Sequence, residues 1–428
     1  MNRCPPAVGA SSDRLNRVCD CLPLSRTQID EHIVTSNPRV GFAELLEQRP
    51  HLFAGTPVFL SAADHQAMLA QVTAIEAVTR LPGYHATIQA RDASLITAPG
   101  KTTAGLLMGY DFHLTEDGPK LIEVNTNAGG AFAVQALLSA VLSQIAPCDV
   151  QMIDPPVQVA KRLLDMFTTE WQQAGRYDQP AVLAIVDDDP AGQYLYPDML
   201  LAQTLLQNAG IDAPIVASHE LHIDGGRLRW GDRAIDMVYN RLTDFQLAEP
   251  ASAALKEALE QDLTVISPNP THHALLADKR NLSLLCDPEQ LKHWGVSAAH
   301  QRVLRALPAT VPVSSGSAES LWSQRKALFF KPNGGFGSKA TYRGSKVTHR
   351  VWNQIASGGY VAQSYVPPGV RSVDAEGSAA LMKYDVRLYT YAGAPLLSAA
   401  RVYQGQTTNF RSPGGGFAPV IYLRSTGA

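Results

Sequence analysis

Three oxygen-bearing side chains stand at a spacing that could hold a hard metal ion. Asp111, Glu123 and Asn125 are twelve and then two residues apart in GLLMGYDFHLTEDGPKLIEVNTNAGG (105–130). Glu-Asp-Gly-Pro at 116–119 is a turn signal between two strand-like runs. Centring the hairpin on Asp117 sets Asp111 opposite Glu123, each six residues away. Cross-strand partners approach to roughly 5 Å at Cβ. Alternation along the strand puts Asn125 on the face of Glu123. Two carboxylates that close repel, and burying them unpaired is costly. A dication relieves this, and an oxygen-only set favours Mg²⁺, with Mn²⁺ as the alternative, over zinc.

A second constellation is basic. In LFFKPNGGFGSKATYRGSK (328–346), Lys331 ends an apolar strand, and Gly334, Gly335, Gly337 and Ser338 follow in a loop. Glycines let backbone N–H groups approach phosphate oxygens, and the lysine adds charge. No G-x-x-x-x-G-K-[ST] string occurs. GFGSKA matches a dinucleotide fingerprint but runs into TYRG rather than a helix, so neither familiar phosphate loop applies.

A third lies in KYDVRLYTYAGAPLLSAARVY (383–403). A hairpin centred on Gly393 sets Asp385 opposite Arg401, with Arg387 on the face of Asp385. Guanidiniums held this way grip a phosphate or a developing oxyanion with two hydrogen bonds.

These groups need a large scaffold, and the 428 residues supply it. Hydrophobic content is 45% and charged content 18%, which excludes a disordered chain. Charge is uneven. Residues 321–428 hold thirteen Lys/Arg and three Asp/Glu (+10), and the rest holds 23 and 36 (−13), giving the overall −3. A basic C-terminal quarter suits an anionic ligand. Its cations alternate with strands and glycine loops rather than aromatic platforms, which disfavours nucleic acid. No stretch is apolar and long enough to span a membrane, and no signal core opens the chain, so a cytoplasmic protein is expected. The five cysteines match no metal or redox spacing and are expected to be reduced thiols.

The elements follow from periodicity. Residues 1–25 read as a poorly ordered leader and 26–98 as mainly helical, with helical spacing over 63–81. Strands follow over 104–126 and helices over 131–146 and 156–174. From 181 to 268 the runs AVLAIV, APIVAS, IDMVYN and TVISP alternate with helical stretches, the grammar of a parallel α/β unit. Arg241, in the polar cluster VYNRLTDF just after a strand, is placed to meet a substrate carboxylate. A helical stretch covers 274–305, and strands dominate from 327 onward.

Together, Asp…Glu-x-Asn, the lysine–glycine loop and the Asp-x-Arg hairpin resemble the ATP-grasp superfamily. The metal hairpin precedes the lysine loop, which resembles the circularly permuted members, such as glutathionylspermidine synthetases and their uncharacterised bacterial relatives. The resemblance covers about 104–150 and 270–420. It implies an α/β (α+β) fold with a permuted ATP-grasp core, in four parts. These are a mostly helical region (1–100), the metal-binding part (101–150), an inserted Rossmann-like substrate domain (151–270) and the nucleotide lid and core (271–428).

The resemblance implies an ATP-dependent ligase joining a carboxylate to an amine of an amino acid, peptide or polyamine. Asp111, Glu123 and Asn125 would hold Mg²⁺. Lys279 and Lys331 would meet the phosphates, the 333–338 loop would close over them, and Gln363 would lie at the adenine hinge. Arg387 and Arg401 would be catalytic. Asn409 resembles a substrate-side asparagine, and Asn127 and Arg241 are placed on the substrate side with it. A homodimer is compatible with the resemblance. One departure stands out, since many relatives carry arginine where Gly109 stands here. Two other readings remain open, a catalytically silent ATP-binding regulator and an ATP-grasp phosphotransferase.

Overall fold

Both hairpins expected from the turn signals form, and they lie side by side in one sheet. The computed structural model describes residues 11–18, 22–92, 103–146, 148, 150–335, 340–375, 378–408 and 412–423. The acidic hairpin pairs Met108–Thr115 with Gly118–Asn125, and the arginine hairpin pairs Ser378–Tyr391 with Ala394–Tyr403. They belong to an eight-stranded sheet and join where Ser378–Tyr391 runs antiparallel to Met108–Thr115. Gly416–Leu423 extends the sheet beyond Ala394–Tyr403 and pairs with Val58–Phe59 and Val150–Met152.

Alternation gives this sheet two different faces. Tyr110, Phe112, Val386, Leu388, Ala400 and Val402 point to one side, into a core with the helix Ala62–Thr79. The neighbours Asp111, Asp385, Arg387 and Arg401 point to the other. Farther along that sheet, Tyr389, Leu397, Ala399 and Phe417 pack into a second core with Ala131–Ile145 and Pro156–Gln173. The polar groups therefore sit on a rigid sheet between two apolar layers.

Three smaller sheets complete the fold. Leu183–Asp187, Ile215–Ala217, Met237–Asn240 and Val265–Ser267 form a four-stranded sheet that is parallel throughout. Thr310–Pro312, Leu328–Pro332, Tyr342–Arg343 and Tyr360–Ser364 form a four-stranded antiparallel sheet that carries Lys331 and Gln363. Leu221–Asp224, Arg227–Trp230 and Arg233–Ala234 form a three-stranded meander. No helix among the described residues is long and apolar enough to cross a membrane.

Two expectations are corrected. Part of the supposed leader is a helix, Ser12–Val18, and it is integrated in the fold. Asn16 is fully buried and bonds both the N–H and the C=O of Phe59 at 2.9 Å. The buried Arg371 donates to the carbonyl of Leu15 at 3.4 Å. A single Asn placed to satisfy a strand's backbone holds this segment down, and periodicity does not reveal it. Cys148 is disulfide-bonded, which overturns the reading of all five cysteines as thiols. Cys286 is free.

Candidate active site

The register of the two hairpins builds the centre of the site. Asp111 is opposite Glu123 on one side and opposite Arg387 on the other, and Asp385 is opposite Arg401. Four donors converge on the Asp111 carboxylate. Arg387 is bidentate, Nε to Oδ1 at 2.6 Å and Nη2 to Oδ2 at 2.8 Å. Arg401 Nη2 and Asn125 Nδ2 reach Oδ2 at 2.8 and 3.0 Å. Arg401 turns its Nε to Asp385 at 2.6 Å, and Thr408 donates to the other Asp385 oxygen at 2.8 Å. Burial alone would raise the Asp111 carboxyl. The two guanidiniums outweigh it and hold the group down at about 2.

A cavity opens between this face and the antiparallel sheet that carries Lys331. Glu123, Lys279, Lys331, Gln363 and Arg401 line it, with Phe329 and Val366 among the apolar groups. Lys279 Nζ lies 3.1 Å from Glu123 Oε1 and donates to the Gly335 carbonyl at 3.0 Å. Lys331 Nζ donates to the Ile122 carbonyl at 2.5 Å and to Gln363 Oε1 at 3.0 Å. Burial and the neighbouring Lys279 push Lys331 down to about 8, against the pull of Glu123. Burial works against ionisation of Glu123 as well, but Lys279 and Lys331 bring its carboxyl below the usual range. Lys279, Lys331, Lys383, Arg401 and one cavity-facing carboxylate, Glu123, thus surround one space, and Gly335 closes one side of it.

The structure gathers most of the residues singled out from sequence. Asp111, Glu123, Asn125, Arg387 and Arg401 meet on the sheet, and Lys279, Lys331, Gly335 and Gln363 meet across the cavity. Gly334 adjoins that rim in sequence. Gly337, Ser338 and Asn409 lie outside the described residues. Asn127 and Arg241 form a separate knot beyond the acidic hairpin. Arg241 Nη1 donates to Asn127 Oδ1 at 2.8 Å and to the Tyr239 hydroxyl at 3.2 Å. Asn127 returns a bond to the Leu242 carbonyl at 3.2 Å. Arg241 is buried, and its Nε has no partner among the described residues.

His113 is a site residue that sequence reading passed over. It stands two positions beyond Asp111 on the same face, lines the cavity and bonds the Val366 carbonyl through Nδ1 at 2.8 Å. The signal was the period of two, which puts residues 109, 111 and 113 on one face.

The donor set suits a nucleotide and a divalent cation unequally. Lys279, Lys331 and Arg401 fit phosphate oxygens in charge and placement. Glu123 faces the cavity and fits a hard cation, with Asn125 beside it. Asp111 departs from the expected ligand role, because its oxygens are taken by two arginines and an amide and it is 1% exposed. Among the described residues no three His, Cys, Asp or Glu side chains form a metal cluster. A cation here would therefore be completed by phosphate oxygens.

No family model matches the chain. No curated protein matches it either. Solved structures do. A glutathione synthetase-like effector (GSS30) of Globodera pallida, solved in its apo form, aligns with a TM-score of 0.55 at 12% identity over 93% of this chain and 98% of its own. The chain has the fold of a glutathione synthetase-like protein. Two further likenesses fall below a TM-score of 0.5 and add no weight. A γ-glutamylcysteine synthetase-like protein of Methylobacillus flagellatus gives a TM-score of 0.42 at 12% identity, over 85% of this chain and 89% of its own. The ATP-grasp ligase PsnB, complexed with minimal precursor, Mg and ADP, gives 0.30 at 10% identity, over 56% and 88%. The glutathione synthetase-like fold is the mixed α/β class that the motifs implied. The permuted order of its parts rests on chain order alone.

Proposed function

We propose that the protein is an ATP-dependent ligase that joins a carboxylate to an amine through an acyl phosphate, releasing ADP and phosphate. The observation that carries this reading is the convergence of Lys279, Lys331, Arg401 and Glu123 on one cavity, backed by the Asp111–Arg387 pair. The shared glutathione synthetase-like fold supports it.

In this reading the triphosphate lies along Lys331 and Lys279, beside Gly335. Glu123 and Asn125 would hold Mg²⁺, which supplies positive charge to the phosphate oxygens. Asp111 aims Arg387 and Arg401. The carboxylate substrate attacks the γ-phosphorus, the bond to the β–γ bridging oxygen breaks, and ADP leaves. The amine then attacks the acyl carbon and phosphate departs. Charge grows on the phosphoryl oxygens and later on the tetrahedral oxyanion. Arginines fixed by buried carboxylates meet that charge without reorganising. Asn127, Arg241 and Asn409 are assigned to the carboxylate or amine side. Gln363, which ties Lys331 to Thr310 through its amide, marks the base end of the cavity.

Calorimetry with ATP and Mg²⁺ on the native protein and on Glu123→Ala tests the site. Mg²⁺-dependent binding that the substitution abolishes supports the reading and justifies screening acid–amine pairs for ADP release. A folded native protein that binds no nucleotide would end it.

A further inference from the structure

The cavity combines cations with flat apolar groups. Lys279, Lys331, Lys383 and Arg401 supply charge, and Phe329, Tyr365, Val366 and Pro368 supply apolar lining. The cations lie close to the rings, with Lys331 Nζ 5.8 Å from the centre of Phe329 and the Arg343 guanidinium 4.3 Å from that of Tyr365. Phosphates suit the cations and a planar base suits the apolar groups. His113 stands beside the Val366 part of that lining through its bond to the Val366 carbonyl.

The geometry of that bond decides what the ring can offer. A carbonyl oxygen only accepts, so Nδ1 carries the hydrogen and donates it to Val366. In the neutral ring Nε2 is then a bare acceptor. No partner for Nε2 is present among the described residues, and the ring lines the cavity. Burial, with Lys331 and Arg401 nearby, disfavours a second proton, although Asp385 pulls the other way.

We propose that His113 reads the nucleobase, with Nε2 accepting a hydrogen bond from the exocyclic amine of adenine. This deepens the nucleotide reading above and rests on it. Adenine presents an N–H donor at that position, whereas guanine and hypoxanthine present an oxygen acceptor. An oxygen facing Nε2 leaves two buried acceptors opposed, and sites built to hydrogen-bond one partner reject an analogue that cannot. His113 thus adds a side-chain acceptor that favours the adenine amine.

The test compares ATP, ITP and N6,N6-dimethyl-ATP, each with Mg²⁺, by calorimetry on the native protein and on His113→Leu. The native protein is expected to bind ATP roughly tenfold or more tightly than either analogue, the size of one buried hydrogen bond and its mismatch. In His113→Leu the ratio of ATP to ITP affinity should fall to about one, chiefly through weaker ATP binding. Should that variant fail to fold, His113→Gln takes its place, whose amide can turn a donor toward an oxygen, and the ratio of ATP to ITP affinity should again fall. Equal affinity of the native protein for ATP and ITP overturns the role of His113 and leaves the nucleotide site standing. An ATP preference that survives intact in a folded His113→Leu overturns it too. Failure of all three nucleotides to bind the native protein overturns both readings together.

Discussion

The Arg387 side chain occupies the room that a side chain at residue 109 would need. A Cβ built on Gly109 would stand 3.2 Å from Arg387 Nε and 2.6 Å from the Ala128 Cβ. In the proposed ligase, the cation that the sequence resemblance led us to expect at residue 109 would be supplied by Arg387 from the adjoining strand. Restoring arginine by Gly109→Arg is expected to damage the site, because it overpacks the sheet and displaces Arg387. Overpacking of this kind costs roughly 1–3 kcal/mol. Urea denaturation should show that loss, and ADP release should fall rather than rise. A gain in turnover would contradict this account.

Asp111 holds the arginines in place, and its removal should expose that role. In Asp111→Asn, Arg387 loses its carboxylate partner while remaining buried. Breaking a buried ion pair from one side costs about 3–5 kcal/mol. The native contribution has a defined pH window. The carboxyl is held at about 2, below its ordinary 3.8. The stabilisation is therefore full above pH 4 and is lost as pH falls through 2. Acid unfolding of Asp111→Asn should lack that component. Half-saturation by Mg²⁺ should shift strongly in Glu123→Gln and little in Asp111→Asn. The reverse order would make Asp111 the metal ligand.

The site was more legible in the sequence than the route to it. Centring the hairpins on Asp117 and Gly393 paired Asp111 with Glu123 and Asp385 with Arg401, and both pairs exist. Neither hairpin is a symmetric loop. Thr115 faces Gly118 across the turn, and Ile122 is then an extra residue that shifts the register by one. Tyr391 faces Ala394 across Ala392-Gly393, whose φ of 51 and 82 suit a type I′ turn, and Leu396 is the extra residue. Each bulge cancels the error of assuming an odd-numbered loop. The Ile122 bulge also accompanies function, since its carbonyl accepts from Lys331. Alternation reports a face and is blind to such a carbonyl. The bonds from Asp111 to Arg387 and Arg401, 276 and 290 residues away, depend on strand order, which no local pattern encodes.

Lys331 should make nucleotide binding depend on pH in the alkaline range. Burial and Lys279 push it to about 8, from an ordinary 10.5. The folded protein thus holds fewer protons than the unfolded chain between those values. The buried charge costs stability fully below pH 8, and the cost fades as pH rises toward 10.5. Phosphates would keep the proton on. Binding of ATP with Mg²⁺ at pH 9 should therefore take up about one proton. Calorimetry in buffers of different ionisation enthalpy reads this directly. Lys331→Met should bind more weakly and show no such uptake. Proton uptake unchanged in Lys331→Met would assign the titration to another group.

Arg241 should control the organic substrates and leave the nucleotide alone. Its guanidinium fastens the Asn127 turn, where Asn127 adopts a φ of 58, and it lies against Gly129, where a Cβ would come within 2.6 Å of Nη2. That turn joins Asn125 to the helix Ala131–Ile145, whose first N–H groups are held by the buried Asp198. The Arg241 Nε is buried and has no partner among the described residues, so it is one donor short in this arrangement. In Arg241→Lys the fork is lost and the charge kept, so both the turn and the spare donor are compromised. The expected result is an increase of roughly tenfold or more in KM for the carboxylate substrate, the size of a charge-assisted bond. The Kd for ATP with Mg²⁺ should change by less than about twofold, since its proposed contacts, Lys279 and Lys331, share no partner with Arg241. Equal losses in both constants would mean that the Asn127 turn supports the whole site, and Arg241 would then be a structural residue rather than a substrate contact.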